Sequence, residues 1–385
     1  MVTLLNRMEV ALVFISEADP PTTNHLKRLL ESCEGLVDRV VCAFNTKKNQ
    51  TNNTALDIVR AWCIENNVNW DFNTARWTGS FADARNEALK LVKPWSWMLL
   101  LDTDEEAHMA KPSFDDFLHT AGSDNAFAIP TWDAGKWFPR ANVVRYVPGL
   151  HYEGRIHEFL VFEGQEVCSI QVGDKEEPEK GQHIIHYGDG PRTQAPDKHV
   201  RDAEACLDEY EATKDARYLF YAGQSFGNCR KDMEAVKAYA AYLRHQGGWP
   251  GMVYLAHLNK GRAHKRLGQT HSAHTEFLRG YESDPARPEC PGELATLLAE
   301  KGDWPLARVW ALACHESPNN SDHPDLSEPV WKVWRAEDVL ATVKFNLGDK
   351  SGAVKHLASL TRNPRIPETH LARIQSNLNA IEANL

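Results

Sequence analysis

The chain has 385 residues, 42% of them hydrophobic and 25% charged, with a formal net charge of −10 at pH 7. This length suits two domains and the composition excludes a disordered chain, while the longest apolar runs, Val10 to Ile15 and Trp95 to Leu101, are far shorter than the roughly 20 residues a membrane span needs. Eight cysteines stand singly with no CxxC pair, which argues against a disulfide framework or a zinc knuckle, and the acidic balance gives no global attraction to nucleic acid or an anionic membrane. With no export pattern in the first residues, a cytoplasmic protein with reduced, mostly buried thiols is expected.

The first half alternates short apolar runs with amphipathic stretches, as βαβ units do. Val10 to Ile15 reads as a buried strand, and Asn24 to Ser32 as a helix with Leu26, Leu29 and Leu30 on one face. Val37 to Phe44 is the second strand, Ala55 to Glu65 its helix, Val68 to Phe72 the third strand and Phe81 to Val92 a further helix. Trp95 to Leu101 is a strand too apolar to face water, with Trp95 and Trp97 assigned to the core. This order predicts an open, mostly parallel sheet. Ligands of such sheets lie beyond the carboxyl ends of the strands, which directs attention to the residues after Ile15, Phe44 and Leu101.

After about Asp197 the pattern becomes helical. Superposing Gly223, Gly261, Ala295 and Ala341 reveals an internal repeat with spacings of 38, 34 and 46 residues, and each copy carries an alanine 12 positions later: Ala235, Ala273, Ala307 and Ala353. Small residues facing each other across a turn let two helices approach closely. The pattern resembles about four imperfect tetratricopeptide repeats. The predicted domains are 1–200, α/β, and 201–385, an all-α helical repeat.

Asp102-Thr103-Asp104-Glu105-Glu106 follows directly on the apolar strand. Unpaired carboxylates cannot be core residues, because burying them costs several kcal/mol. Two aspartates at i and i+2 on a strand end can hold one hard divalent ion while leaving positions open for phosphate.

The stretch from Trp77 to Glu106, which runs W-x-x-x-F-x-x-A-R-N-x-A-L, an apolar strand and L-D-T-D-E, resembles the family 2 glycosyltransferases of GT-A fold, in particular bacterial and phage members with C-terminal tetratricopeptide repeats. Gly154-Arg-Ile-His-Glu158 and Ile185-His186-Tyr187-Gly188 are similar to two further motifs of that family. The resemblance implies a GT-A nucleotide-sugar-binding domain that moves a sugar from a nucleotide-diphosphate donor with Mn²⁺ or Mg²⁺. Asp104 would coordinate the metal, Asp102 would reach the donor ribose or the metal through water, and His186 would complete the metal site. Ser16, Glu17, Asn45, Thr46, Arg85, Asn86 and Thr103 would serve the donor, with Arg85 pairing the pyrophosphate or orienting Asp102. An inverting transfer needs a general base, for which Glu158 is the candidate, with His157 beside it and Asp133 as rival. Trp132 and Trp137 would receive the acceptor, since flat aromatic faces stack on sugars or bases.

One departure concerns the base of the nucleotide: where the family shows an aspartate after the second strand, this chain has Asn45 and Thr46. The resemblance implies as acceptor a glycan, a peptide side chain or a hydroxymethylated DNA base, in a bacterial or phage-infected host cell. The helical domain is expected to provide a protein contact or a dimerisation surface. The competing expectation is a non-catalytic scaffold that binds a protein partner through the repeats. A nucleotidyltransferase should show a glycine- and lysine-rich phosphate loop near the first strand, and Ser16-Glu-Ala-Asp-Pro-Pro21 offers none.

Overall fold

A computed structural model describes residues 9–21, 23–47, 53–120, 124–133, 136–172, 178–190, 192–245, 248–318, 328 and 330–383. The chain divides into two units, Met1–Lys198 and His199–Leu385.

The first unit opens with β1 (Val10–Glu17), α1 (Asn24–Ser32), β2 (Arg39–Thr46), α2 (Thr54–Glu65), β3 (Asn69–Arg76), α3 (Phe81–Leu89) and β4 (Trp97–Leu100). Asn53 caps α2 by accepting the Leu56 amide, and Ser80 caps α3 by accepting that of Asp83. β1, β2 and β4 are apolar on both faces because both are covered, whereas β3, at the sheet edge, has no buried residue. Val10, Leu12, Phe14, Val40, Cys42, Phe44, Trp97 and Leu99 enter one core with α1 and α2, whereas Ala11, Val13, Val41, Ala43, Met98 and Leu100 enter the other with α3.

There follow β5 (Glu105–His108), α4 (Lys111–Thr120), β6 (Ala126–Asp133), β7 (Lys136–Arg145), β8 (His151–Glu153), β9 (Phe159–Phe162), β10 (Gln165–Glu166), β11 (Ile170–Gln171) and β12 (His183–His186). The main sheet has the order β3-β2-β1-β4-β7-β6-β12-β5, with β11 beside β6, and β8, β9 and β10 form a separate small sheet. The main sheet is mixed, with parallel pairs in the majority, as the sequence leads one to expect. β3, β2, β1 and β4 are parallel, but β7 runs antiparallel to both β4 and β6, and β5 antiparallel to β12. The reason is local: only two residues separate β6 from β7, too few for the crossover a parallel pair requires.

Trp95 also departs from its assignment. It is 56% exposed in a left-handed conformation (φ 69°), with its amide bonded to the Tyr146 carbonyl, whereas Trp97 is 1% exposed.

The second unit is helical. α5 (Lys198–Thr213) leads into α6 (Arg217–Asn228), α7 (Asp232–Tyr242), α8 (Pro250–Arg266), α9 (Thr270–Ser283), α10 (Glu289–Glu300) and α11 (Trp304–Glu316). A π-turn at Trp331–Arg335 then precedes α12 (Ala336–Asn346), α13 (Lys350–Leu360) and α14 (Glu368–Glu382). The pairs α6–α7, α8–α9, α10–α11 and α12–α13 are hairpins, each with a three-residue turn. In all four the last turn residue donates its amide to a carbonyl five residues back: Lys231 to Phe226, Gln269 to His264, Asp303 to Leu298 and Asp349 to Lys344, at 2.9 to 3.0 Å. The middle turn residue is left-handed in each: Arg230, Gly268, Gly302 and Gly348. Ala235, Ala273, Ala307 and Ala353 are buried, and a Cβ on Gly261 would meet the Phe277 ring at 2.5 Å. The unit is thus a tetratricopeptide-like helical repeat, packed through the small residues its sequence period marks. Among the described residues, no helix is long and apolar enough to cross a membrane.

Candidate functional site

In the first sheet β1 is followed by strands placed to one side of it, β2 then β3, and afterwards by β4 on its other side. The order therefore reverses between β1 and β4, and the crevice at their carboxyl ends is where an open α/β sheet receives a ligand. Ser16 and Glu17 end β1, and Asp102 to Asp104 form the turn after β4.

Two charged groups meet at that turn. In the first, Arg85 on α3 donates from Nη2 to Asp102 Oδ1 and from Nε to Glu158 Oε1, both at 2.6 Å. Arg140 on β7 donates to Asp102 Oδ2 at 3.2 Å and to Glu105 Oε2. Glu105 folds back and accepts the Asp102 amide at 2.8 Å. Burial would raise the Asp102 carboxyl, but the Arg85 and Arg140 guanidinium groups outweigh it and hold Asp102 well below the usual carboxylate range. Glu105 is 1% exposed and burial dominates there, raising its carboxyl, while its Oε1 has no hydrogen-bond partner among the described residues. Asn86 takes a different part: it grips the Tyr152 peptide through both amide atoms, at 2.7 and 2.9 Å, and so anchors β8 to α3.

The second group is Asp104, His186 and Asp133. Asp104 is 7% exposed; its Oδ2 accepts the Gly190 amide at 3.2 Å and lies 3.4 Å from His186 Nε2. The other ring nitrogen, Nδ1, is 3.0 Å from Asp133 Oδ1. The register explains the meeting, since His186 pairs with Glu105 on one side and Asp133 on the other. Hydrogen bonds to Asp104 and then to Asp133 push the imidazole up to about 10. A Cβ on Gly190 would stand 2.7 Å from Asp104 Oδ2, so only glycine permits this approach.

The residues expected at the site from sequence are therefore distributed. Asp102 lies with Arg85 and Glu158, Asp104 with His186 and Asp133. Thr103 lies between the two aspartates and is half-buried. The Asn45 amide reaches the Ser16 carbonyl at 3.5 Å, the Thr46 hydroxyl bonds the Ala75 carbonyl at 3.3 Å, and Glu17 pairs with Lys47 at 3.1 Å. His157 is exposed with φ 53°. Trp132 and Trp137 face each other across the β6–β7 pair with centroids 5.2 Å apart, and Trp137 meets His183, itself stacked on His108 at 4.7 Å.

Among the described residues no group of three or more His, Cys, Asp and Glu side chains is placed to hold a metal ion, and the set Asp102, Asp104 and His186 divides because the arginines take Asp102. The Asp104–His186 pair alone has suitable donor chemistry for a divalent cation: one carboxylate oxygen, one imidazole nitrogen, and a carboxylate behind the ring to fix its orientation. Mg²⁺ bound by one or two protein groups completes its shell with water and substrate phosphates.

Arg140 and Gly190 were not singled out from sequence, and Glu105 only as a member of the acidic run after β4. For Arg140 a signal existed: a charged residue two positions from Asn142, on a strand whose next residues, Val143 and Val144, are buried, is out of place in a core strand.

No known protein family matches the sequence, and no curated protein does. Among solved structures the chain is similar to PilF of Pseudomonas aeruginosa, at 14% identity over 45% of this chain and 72% of that one, with a TM-score of 0.37. It is similar to a tetratricopeptide repeat protein of Parabacteroides merdae at 15% identity, over 48% and 68%, with a TM-score of 0.38. A third is YrrB, described as a tetratricopeptide repeat protein with an unusual peptide-binding site, at 17% identity over 47% and 85%, with a TM-score of 0.35. The repeat character of the second unit rests on its own four hairpins.

Proposed function

We propose that the first unit is a divalent-cation-assisted glycosyltransferase that takes a nucleotide-diphosphate sugar at the carboxyl ends of β1 and β4. The observation that carries this reading is the placement of Asp102 and Asp104 at the switch point of the sheet, one fixed by two guanidinium groups and the other against a histidine. The motif resemblance to the family 2 enzymes agrees with it.

In this reading Ser16, Glu17, Asn45 and Thr46 bind the nucleoside, and Asp102 binds the ribose hydroxyls. Arg85 and Arg140 hold Asp102 rigid, so no reorganisation is needed when the donor enters. Asp104 and His186 hold Mn²⁺ or Mg²⁺, with Asp133 fixing the imidazole. When bound, the cation takes up negative charge on the leaving diphosphate. Glu158, oriented by Arg85 through Oε1, receives the acceptor hydroxyl proton on its second oxygen, and Trp132 and Trp137 form the acceptor wall. The helical unit makes a protein contact.

The test is donor hydrolysis and transfer over a panel of nucleotide-diphosphate sugars with Mn²⁺ or Mg²⁺. Turnover should vanish in excess chelator and in Asp104→Ala, with the far-UV circular dichroism unchanged. Full turnover under chelation would remove the cation from the mechanism.

A further inference from the structure

We propose that the helical unit carries a binding site for a small phosphate monoester, between the first and second hairpins and made of residues other than those of the crevice described above. An open depression of about 460 Å³ is lined by Ala240, Leu243, Arg244, His257, Lys260 and Arg279. Its floor is an unusual cluster. Lys260 is 13% exposed and donates to Glu276 Oε1 at 3.0 Å, His257 Nδ1 meets Glu276 Oε2 at 2.8 Å, and Arg279 reaches Oε1 at 3.3 Å; Glu276 itself is 6% exposed.

The repeat shows that this lysine is out of pattern. The residue just before each aligned small residue is Ala222, Lys260, Leu294 and Leu340, and the three others are buried apolar side chains. The fourth hairpin repeats the histidine–glutamate pair in reversed order, His356 to Glu337 at 3.2 Å, yet it keeps Leu340 where the second hairpin has Lys260. A cross-hairpin His–Glu pair therefore packs without a lysine. Lys260 adds a cation that packing does not require.

Charge balance identifies the ligand. Lys260, Arg279 and Arg244 carry three positive charges around one depression, and Glu276 supplies one negative charge. Arg244 is exposed and has no ion-pair partner among the described residues. Two positive charges are left over, and a phosphate monoester carries about −1.5 to −2 at pH 7, whereas a carboxylate carries one charge. Arginine forks suit its oxygens, and Ala240 and Leu243 offer an apolar wall to the carbon part of the ligand. The volume is that of a small-molecule pocket.

The experiment is calorimetric titration of the full chain with phenyl phosphate, and with benzoate as a carboxylate of the same shape, at fixed ionic strength. Phenyl phosphate should bind about tenfold more tightly than benzoate or better. The Arg244→Ala/Arg279→Ala double variant, at surface positions, should weaken it about tenfold or more, and Lys260→Leu, the residue of the other hairpins, should do the same. Arg85→Met, in the first unit, should leave it unchanged. No binding at millimolar phenyl phosphate, or binding that survives both pocket variants, would overturn the proposal, and so would loss of binding in Arg85→Met with the pocket intact. A phosphoserine peptide binding more than tenfold more tightly than phenyl phosphate would overturn its small-ligand form.

Discussion

In the helical unit Arg262 on α8 is enclosed by Glu293 on α10, at 2.8 Å, and by Glu328, at 2.7 and 2.9 Å, while the fully buried Arg287 pairs with Glu289. At the β4–β5 turn of the first unit, Arg85 and Arg140 likewise each bridge two carboxylates. The inventories are alike, but their positions are not. Arg262 ties one hairpin to the next, with all three side chains of its cluster at most 20% exposed. The turn cluster stands at the open end of a sheet and leaves the Asp102 and Arg140 side chains 32% and 34% exposed. Buried charge alone thus does not mark a site. A charge cluster left partly open where strands end is the more informative sign.

This contrast can be broken most directly at Glu158. Proton transfer to a placed base contributes about 10² to 10⁴-fold, so Glu158→Gln should reduce turnover by that much with donor affinity nearly unchanged, while Asp133→Asn does far less. The reverse ranking in steady-state kinetics would move the base to the β6 end.

Arg262→Met tests the other side of the comparison. It leaves two carboxylates in a nearly closed environment, a change that costs about 3 to 5 kcal/mol, and urea denaturation should show that loss. A loss below about 1 kcal/mol would put Arg262 among ordinary surface pairs.

Acid sharpens the same point. Burial would raise the Glu276 carboxyl, but hydrogen bonds from His257 and Lys260 outweigh it and bring it from 4.5 down to about 2. Its folded value is below its unfolded one, so the stability it contributes is present above about pH 4.5 and is lost as the pH falls toward 2. The urea midpoint of the wild type should drop through that window more steeply than that of Glu276→Gln.

The smallest effect is expected at Arg230, which stands left-handed (φ 61°) where the other three hairpin turns have glycine. A non-glycine residue there costs about 1 kcal/mol, so Arg230→Gly should raise the melting temperature by roughly 2 to 4 °C. An unchanged or lower value would mean that the Arg230 side chain contributes more than its backbone loses.

How much of this was legible in the sequence follows the range of each signal. The hairpins were, because close helix packing needs a small residue on one helix and an alanine 12 positions on. β1, β2 and β4 were, because strands covered on both faces are continuously apolar; β3, an edge strand with no buried residue, carries an apolar signal only in its first half. The reversal at β7 was not, since it depends on the two-residue link between Asp133 and Lys136 rather than on apolar pattern. Trp95 was misassigned because a large aromatic next to a core strand reads as core, whereas its backbone is already in the turn. The sequence also marked the strand end carrying Asp102 and Asp104. The partners of Asp102 come from 17 positions before it, on α3, and 38 after it, on β7, and Gly190 lies 86 positions beyond Asp104; pairing at such separations is set by helix packing and strand register, which one sequence does not display.

The four identical hairpin closures have a practical consequence for anyone wishing to edit the protein. Turns of one length, with one hydrogen-bond pattern and one left-handed residue, make the hairpins interchangeable parts, so the array can in principle be lengthened by grafting another copy between existing ones, as in a one-dimensional chain of nearest neighbours. The α8–α9 hairpin is the copy to duplicate first. It has the longest helix pair, a glycine seated under an aromatic ring, and a turn that already carries the glycine its backbone requires.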